Sequence, residues 1–442
     1  MGTLWRTLRT VMYKISVSGI GLISASATAH FLSVAERGTY TFVTFTLLFG
    51  TAFISGYNNY LNFAINRQKH SMEAVVGVAA RFVVQILTIN VALLVAALIL
   101  QMRFAGFYDY SFILATMPFV ILFGYGSRIL QVMNEIEWVN RLNTLQSLLF
   151  AAYAVIMWLI YHFAHGGLGA HSLTMTLLAW LITNAIATTA VVIVAHRLAN
   201  VSFRPRRDPE LRRAMFSYGH QIAVQRLLLQ ANYRGDAFTV NWMMGSVFTG
   251  LYGIAVTSSE ILWQVANSIS LIVYARIARE EREGSMELTE RSVRLTFWVL
   301  VIGAIGMLLI FAPLMHIVFG DKYARSVAPF RILIIGTMGY GVVGVFTQFF
   351  TDQLGKVRFP LILQACCVVI NVGLCLILIP HIGMMGAATG STAAYVVALM
   401  LCVYYYHRQT RRPIRGLFLP TVGDLQLLQR MLPRRRLHEL GK

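Results

Sequence analysis

The sequence predicts an all-α integral membrane protein with about twelve transmembrane helices in two six-helix lobes. Three observations predict this fold. Apolar residues make up 57% of the 442 residues and charged residues only 12%, whereas soluble domains carry about 25% charged residues. The mean hydropathy of +0.64 indicates lipid as the solvent. The basic residues alternate with long apolar stretches, as they do in proteins that cross a membrane many times.

Each predicted helix is an apolar stretch long enough to cross a bilayer, which takes about 20 residues. In chain order they cover residues 11–33, 39–65, 75–100, 111–134, 142–163, 173–196, 214–241, 248–275, 293–319, 328–353, 359–380 and 384–406. The connection after the sixth stretch divides the chain into two halves of six stretches and is rich in arginine. We therefore predict four parts: a first lobe over 1–200, an inter-lobe loop over 201–213, a second lobe over 214–408 and a basic tail over 409–442.

The basic residues also predict the orientation of the chain. They lie before the first stretch (Arg6, Arg9) and after the second (Arg67, Lys69), fourth (Arg141), sixth (Arg197, Arg204, Arg206, Arg207, Arg212, Arg213), eighth (Arg276, Arg279, Arg282, Arg291), tenth (Lys356, Arg358) and twelfth (Arg408, Arg411, Arg412, Arg415). Twelve spans put all of these on one side, and positive charge favours the cytoplasmic side. We predict a bacterial inner-membrane protein with both termini cytoplasmic. This rule accounts for most of the net charge of +19 without nucleic acid as a partner.

The two halves share short matches that suggest a duplication. Around the fourth and tenth stretches, Gln131, Glu135 and Arg141 match Gln348, Asp352 and Arg358 at one common offset. The second and eighth stretches open with Gly38-Thr39-Tyr40 and Gly250-Leu251-Tyr252. Duplicated lobes with a substrate site between them are a common transporter plan; chance similarity is the alternative.

The tail departs from the rest of the chain. Leu425, Leu428 and Leu432 are spaced for one face of a helix, and arginines follow them. The pattern allows two interpretations, a surface helix on anionic lipid or a partly disordered basic tail.

Polar side chains recur at helical spacing inside several stretches and predict a hydrated cavity between the lobes. The candidate substrate-binding residues are Lys14, Asn59, Asn62, Arg128, Gln225, Arg226, Arg234, Gln264, Asn267 and Gln348. Amides can bind sugar hydroxyls, and guanidinium groups match phosphate oxygens in a two-pronged geometry. The alternative is that these side chains only hold helices together.

Acidic residues inside the stretches are candidates for ion coupling, because a charge in a spanning helix costs about 2.5–3.5 kcal/mol. The candidates are Asp236, Glu260 and Asp352. Arg226 and Glu260 fall near mid-membrane, where they could pair with each other or serve as headgroup contact and coupling carboxylate. Arg81, Glu135, Asp352 and Lys14 fall near the cytoplasmic ends, where they could reach water.

Catalytic and metal-binding motifs are absent from the sequence. It contains no GxxxxGK[ST], HExxH or GxSxG pattern, so we predict neither an enzyme nor a cofactor. The four cysteines, Cys366, Cys367, Cys375 and Cys402, lie inside apolar stretches without metal-ligand spacing. We expect them to be small buried residues.

Several segments resemble the polysaccharide-transporter branch of the multidrug/oligosaccharidyl-lipid/polysaccharide exporter superfamily. The segment FTGLYGIAVTSSEILWQVANSI resembles its eighth helix, and FGDKYARSVAPFRILIIG resembles its outer loop entering the tenth. Its eleventh and twelfth helices are similar to a segment here that contains Asn371, Ile379-Pro380, Gly383 and Gly386-Ala387-Ala388. Its turn between the first and second helices is similar to ERGTYTF.

The resemblance implies two six-helix bundles that form a V and alternate between inward-open and outward-open states. It implies a flippase for polyprenyl-diphosphate-linked oligosaccharide, with membrane lipid, a glycan polymerase and export machinery as further candidate partners. The resemblance implies cationic residues that bind the diphosphate, and the nearest candidates are Arg128, Arg226 and Arg234.

Two other functions compete with a flippase. The first is a cation-coupled multidrug antiporter of the same superfamily, and the second is a non-transporting scaffold of a glycan-export complex. An antiporter for cationic drugs should offer carboxylates in its first lobe. The stretches 11–33, 39–65 and 75–100 contain no Asp or Glu, which favours an anionic, hydroxyl-rich substrate.

Overall fold

The computed structural model describes residues 3–66, 68–104, 107–163, 171–199, 203–264, 266, 282–356 and 358–419, and this part of the chain is helical with no strand. The helices are α1 (Thr3–Phe31), α2 (Val34–Asn66), α3 (Met72–Gln101), α4 (Tyr108–Val132), α5 (Ile136–Phe163), α6 (Ser172–Ala199), α7 (Pro209–Met244), α8 (Ser246–Ser259), α9 (Arg282–Val318), α10 (Val327–Asp352), α11 (Arg358–Ile382), α12 (Met384–Thr410) and α13 (Arg415–Phe418), with a 3₁₀ turn at Asp321–Ser326.

Helices α1 to α12 correspond one by one to the twelve predicted spans, and the all-helical membrane fold is confirmed. Nine helices of the described part are long and apolar enough to cross a membrane by those criteria alone. The other three are α1, α7 and α8. Helix α7 is among these three because arginine, glutamine and asparagine interrupt its apolar sequence.

Helix ends follow local chemistry. Asp208 caps α7 by accepting from the backbone N–H groups of Glu210 and Leu211, and Pro209 occupies the first turn, where its missing N–H costs nothing. A single glycine, Gly245, separates α7 from α8 with a φ of 84°, and Gly383 joins α11 to α12 with a φ of 60°. Both positions need the left-handed backbone that glycine adopts readily.

Each lobe has its own apolar core. The first-lobe core lies between α2, α3, α4 and α6 and includes Tyr60, Ile129 and Leu130. The second-lobe core lies between α8 to α12 and includes Phe346, Phe349 and Tyr406. The start of α7 belongs to the first core, since Leu211 and Met215 are buried in it. Helix α2 packs along α7 and α8 and forms the main seam between the lobes.

The eighth predicted span is broken partway along its length. The predicted stretch ran unbroken over 248–275, but α8 ends at Ser259 and helix resumes over residues 261–264. At the break the Trp263 N–H bonds to the carbonyl of Glu260 at 2.9 Å, a tighter turn than an α-helix makes. The break lies at the buried ion pair described below. Residues 267–281 lie outside the described part.

Two sequence expectations need correction or fall outside the structure. Cys367, Cys375 and Cys402 are buried, but Cys366 is exposed on α11, because adjacent residues of a helix point about 100° apart and do not face the same neighbour. The tail begins with α13, whose Phe418 carbonyl accepts from the Trp298 indole at 2.8 Å. Leu425, Leu428 and Leu432 lie outside the described residues.

Candidate functional site

A cavity of about 310 Å³ opens at the seam between the lobes, and we call it the central cavity. Helices α2, α4 and α7 form its walls. Its lining residues are Leu48, Thr51, Ala52, Ile54, Ser55, Asn58, Val120, Ile121, Phe123, Gly124, Arg226, Leu229, Gln230 and Tyr233. A cation, two amides and three hydroxyls thus face a mainly apolar space, as in many small-molecule sites.

A second cavity of about 280 Å³ lies on the other side of Leu229 and Tyr233, and we call it the adjoining cavity. Helices α7, α10 and α11 form its walls. Its lining residues are Gln225, Leu229, Tyr233, Tyr340, Val343, Gly344, Thr347, Gln348, Thr351, Pro360 and Gln364. The Oε1 atom of Gln348 is buried there without a hydrogen-bond partner, so a ligand group could satisfy it.

Arg226 is the charged residue of the central cavity. It projects from the middle of α7, and Arg128 of α4 lies close enough for the two positive charges to repel each other. Within the described residues neither guanidinium has a hydrogen bond or an ion pair. Two uncompensated cations inside a membrane protein are costly, and an anionic ligand between them would remove that cost.

Arg234 lies in a different setting from Arg226. Its guanidinium binds Glu260 with two hydrogen bonds of 2.9 and 3.1 Å and lies 4.0 Å from the centre of the Phe45 ring. The side chains of Arg234 and Glu260 are 12% and 19% exposed. Glu260 therefore pairs with Arg234 and not with Arg226. This ion pair joins the residue that follows α8 to α7.

Asp236 lies at the centre of a buried polar network in the second lobe. Its Oδ2 accepts from the hydroxyls of Tyr252 and Ser391 at 2.7 and 2.6 Å. Ser391 also bonds to Asn371 at 3.1 Å, and Asn371 donates to the carbonyl of Asn232 at 3.0 Å. The carboxylate thus holds α7, α8 and α12 together and has no cationic partner among these contacts.

The other predicted residues are spread around the seam. Gln225 and Gln348 line the adjoining cavity, whereas Asn59 is half-buried and Asn62 is exposed and bonded to Asn66. Lys14 and Gln264 are exposed. Asn267 and the side chain of Asp352 lie outside the described residues.

Asn58, Tyr233 and Tyr340 are among the cavity residues that sequence reasoning missed. Asn58 lies on the face of α2 that also carries Leu48, Thr51 and Ser55, one register away from the predicted asparagine stripe. Tyr233 separates the two cavities and packs at 4.7 Å between ring centres on Trp263. Tyr340 bonds to Gln364 at 2.7 Å. Aromatic residues inside an apolar stretch give no distinguishing signal, and the asparagine pair at 58–59 fits two helical faces equally.

The described residues hold no cluster of three or more His, Cys, Asp or Glu side chains able to bind a metal ion. The donors around both cavities are amides, hydroxyls and guanidinium groups, which suit a sugar or a phosphate rather than a metal.

Comparisons with known proteins give a partial family match and several similar folds. A family model described as polysaccharide biosynthesis protein matches residues 142–328, and no curated protein sequence matches the chain significantly. The structure of a lipid II flippase, MurJ in an inward closed conformation, shares 12% identity over 96% of this chain and 92% of its own, with a TM-score of 0.76.

Two MATE transporters share the fold as well. An inward-facing MATE family transporter of the MOP superfamily has 12% identity over 92% of this chain and 98% of its own, with a TM-score of 0.69. The Vibrio cholerae MATE transporter VcmN has 12% identity over 93% and 97%, with a TM-score of 0.62. At these identities the likeness shows the fold alone. Together with the partial family match, it agrees with the resemblance found in the sequence: the chain is a multi-pass membrane protein with the fold that a flippase and MATE transporters share, and its residues 142–328 match the model of polysaccharide biosynthesis proteins.

Proposed function

We propose that this protein moves polyprenyl-diphosphate-linked oligosaccharide from the cytoplasmic to the outer leaflet of a bacterial inner membrane, for surface or secreted polysaccharide. One observation carries the proposal. The described residues that line the central and adjoining cavities include Arg226, five glutamine or asparagine side chains and several hydroxyls, but no carboxylate. Such a surface attracts a diphosphate and binds sugar hydroxyls.

The runner-up is a cation-coupled multidrug antiporter, since two MATE structures share this fold. A cavity that binds cationic drugs needs negative charge where the drug lies. The intramembrane carboxylates of Glu260 and Asp236 are both engaged, one by Arg234 and the other by two hydroxyls. Arg226 lines the central cavity, and the positive charge of Arg128 lies near it, so both would repel a cation there. Charge therefore favours the flippase.

The neighbours' descriptions agree with the proposal. The matching family model describes polysaccharide biosynthesis proteins, and MurJ is described as a flippase of lipid II. In our proposal this chain likewise takes a lipid-linked sugar, with its head in the cavities and its tail in surrounding lipid. We assign it no catalytic role, and Asp236, Glu260 and Asp352 remain candidates for coupling transport to an ion gradient.

A strain that lacks the gene tests the proposal. Lipid-linked oligosaccharide and surface polysaccharide are measured together after complementation with wild-type, Arg226→Gln, Arg226→Lys or Arg331→Gln copies at matched expression. Arg331 is the control because it is an exposed arginine of α10 outside both cavities. We expect Arg226→Gln to lower surface glycan at least about tenfold while lipid-linked units accumulate, since a charge-assisted contact is worth about 1.5–3 kcal/mol.

Lysine keeps the charge but loses the two-pronged contact, so Arg226→Lys should restore part of the export. Unchanged glycan in the deletion strain together with raised sensitivity to cationic drugs would overturn the proposal in favour of the antiporter. Normal export by both Arg226 variants would leave a scaffold as the better description. A reporter fused to each terminus tests the predicted cytoplasmic orientation.

A further inference from the structure

A third cavity, of about 360 Å³, lies away from the seam at the arginine-rich end of the molecule, and we call it the arginine pocket. It opens between α3, the start of α7 and the segment that joins the lobes. Its lining residues are Val78, Arg81, Phe82, Gln85, Arg206, Arg207, Asp208, Pro209, Arg212, Arg213, Met215 and Phe216.

The walls of the arginine pocket are fixed by backbone contacts. The N–H of Arg206 donates to the carbonyl of Gly77 at 3.0 Å, so the inter-lobe segment lies along α3. A Cβ atom on Gly77 would lie 2.9 Å from the Arg206 Cγ, and glycine therefore permits this approach. The Asp208 cap fixes the start of α7 on the other side.

Positive charge in the arginine pocket is largely uncompensated. Five arginines line it against one aspartate, and that aspartate is engaged in capping α7. Arg206 is paired with Glu73 at 2.6 Å. Arg81, Arg207 and Arg213 have no ion pair or hydrogen bond to other residues of the described chain. The preference for cytoplasmic arginine explains their number but not their convergence on one cavity from three parts of the chain.

The floor of the arginine pocket is aromatic and continues into a surface that faces lipid. The rings of Phe82 and Phe216 meet edge to face at 5.2 Å, and Tyr57 packs on both. From Gln85 the exposed face of α3 continues through Ile89 and Leu93, which are 61% and 53% exposed. A basic pocket beside an exposed apolar helix face suits a phosphate group that carries a hydrocarbon chain.

We propose that the arginine pocket binds the phosphate group of an anionic membrane lipid, whose hydrocarbon chain lies along α3. The lipid bridges α3 of the first lobe and the start of α7, and so holds the inter-lobe segment in place. This site is separate from the central cavity and does not depend on the transported substrate.

Native mass spectrometry of the full-length protein in detergent tests the proposal, with phosphatidylglycerol and phosphatidylcholine as probes. The test variant is Arg207→Gln/Arg213→Gln, and the matched control is Arg197→Gln/Arg408→Gln, which removes two exposed arginines from the last turns of α6 and α12. We expect wild type and control to retain phosphatidylglycerol in preference to phosphatidylcholine. The test variant should lose this preference by roughly tenfold or more, because each basic residue near anionic lipid contributes measurably to binding.

Three results decide the matter. An equal loss in test and control variants, or no loss in either, would overturn the proposal, since surface charge alone would then explain retention. Displacement of phosphatidylglycerol by inorganic phosphate at equal concentration would assign the pocket to a free phosphate instead of a lipid. Arg207→Lys/Arg213→Lys keeps the charge and should retain the lipid, which separates loss of binding from loss of folding.

Discussion

Gly38 of α2 lies directly against Gly250 of α8 at the seam between the lobes. A Cβ atom on Gly38 would lie 1.7 Å from the carbonyl oxygen of Ser246, and one on Gly250 would lie 2.3 Å from that of Val34. Backbone cannot yield by such amounts, so this contact needs glycine on both helices. The two glycines open the short matches Gly38-Thr39-Tyr40 and Gly250-Leu251-Tyr252 that suggested a duplication. The repeated motif thus meets itself across the seam.

Substituting either glycine should prevent this end of the seam from closing. We expect Gly38→Val and Gly250→Val to lower glycan export at least about tenfold in the complementation assay, with protein still inserted in the membrane. Crowding of this kind typically costs about 1–3 kcal/mol. Gly306→Ala is the control, because nothing lies within 4 Å of its added carbon. Normal export by both valine variants would mean that the seam need not close here.

The ion pair between Arg234 and Glu260 should be more sensitive to single than to double substitution. Both side chains are largely buried, so removal of one partner leaves a charge without compensation, at a cost of about 3–5 kcal/mol. We expect Arg234→Met and Glu260→Gln each to lower the melting temperature in detergent more than Arg234→Met/Glu260→Met does. If the two single substitutions lower the melting temperature by amounts that add up in the double variant, the two side chains are not coupled.

The same comparison separates structure from transport. If the pair only holds the broken α8 against α7, the double variant should recover export along with stability. If Glu260 also takes part in ion coupling, the double variant should be stable but export poorly. Both readouts are measured on the same membranes.

The sequence predicted the helices well because each apolar stretch must match the thickness of a bilayer whatever its neighbours are. It did not predict which polar residues meet. The sequence suggested that Glu260 could pair with Arg226, but α8 ends at Ser259 and Glu260 pairs with Arg234 instead. The stripe through Asn59 and Asn62 is real on the helix, but packing of α2 on α7 turns Asn58 into the cavity instead. Spacing fixes a face of a helix, whereas the neighbouring helices decide what that face meets.

Lys322 should help to hold the two lobes together, because it connects the second lobe to the end of α1. Its ammonium group donates to the carbonyls of His30 and Leu32 at 3.1 and 2.7 Å; His30 lies in the last turn of α1 of the first lobe, and Leu32 directly follows that helix. We expect Lys322→Met to speed hydrogen exchange of backbone amides near residues 30–38 several-fold, because local opening becomes easier. Lys356→Met, at the opposite end of the second lobe, should leave that exchange unchanged. Equal exchange in the two variants would remove Lys322 from any role in closure.

Asp236 offers the sharpest test of ion coupling in the second lobe. In Asp236→Asn the remaining oxygen can still accept from Tyr252 or Ser391, so we expect the protein to fold with a loss of about 1–3 kcal/mol, the usual cost of a weakened buried hydrogen bond. A carboxylate that takes up and releases a proton during transport gives export a dependence on the proton gradient, and the amide removes it. We therefore expect a residual export rate that no longer responds to collapse of that gradient.

Two controls make the Asp236 result interpretable. Ser391→Ala and Tyr252→Phe remove one hydrogen-bond donor each but keep the carboxylate, so they should lower stability similarly while export keeps its response to the gradient. If Asp236→Asn behaves like these two variants, Asp236 has a structural role and coupling lies elsewhere. Glu260 is then the next carboxylate to test, because it is the nearest acidic side chain that already bridges α7 and α8 through Arg234.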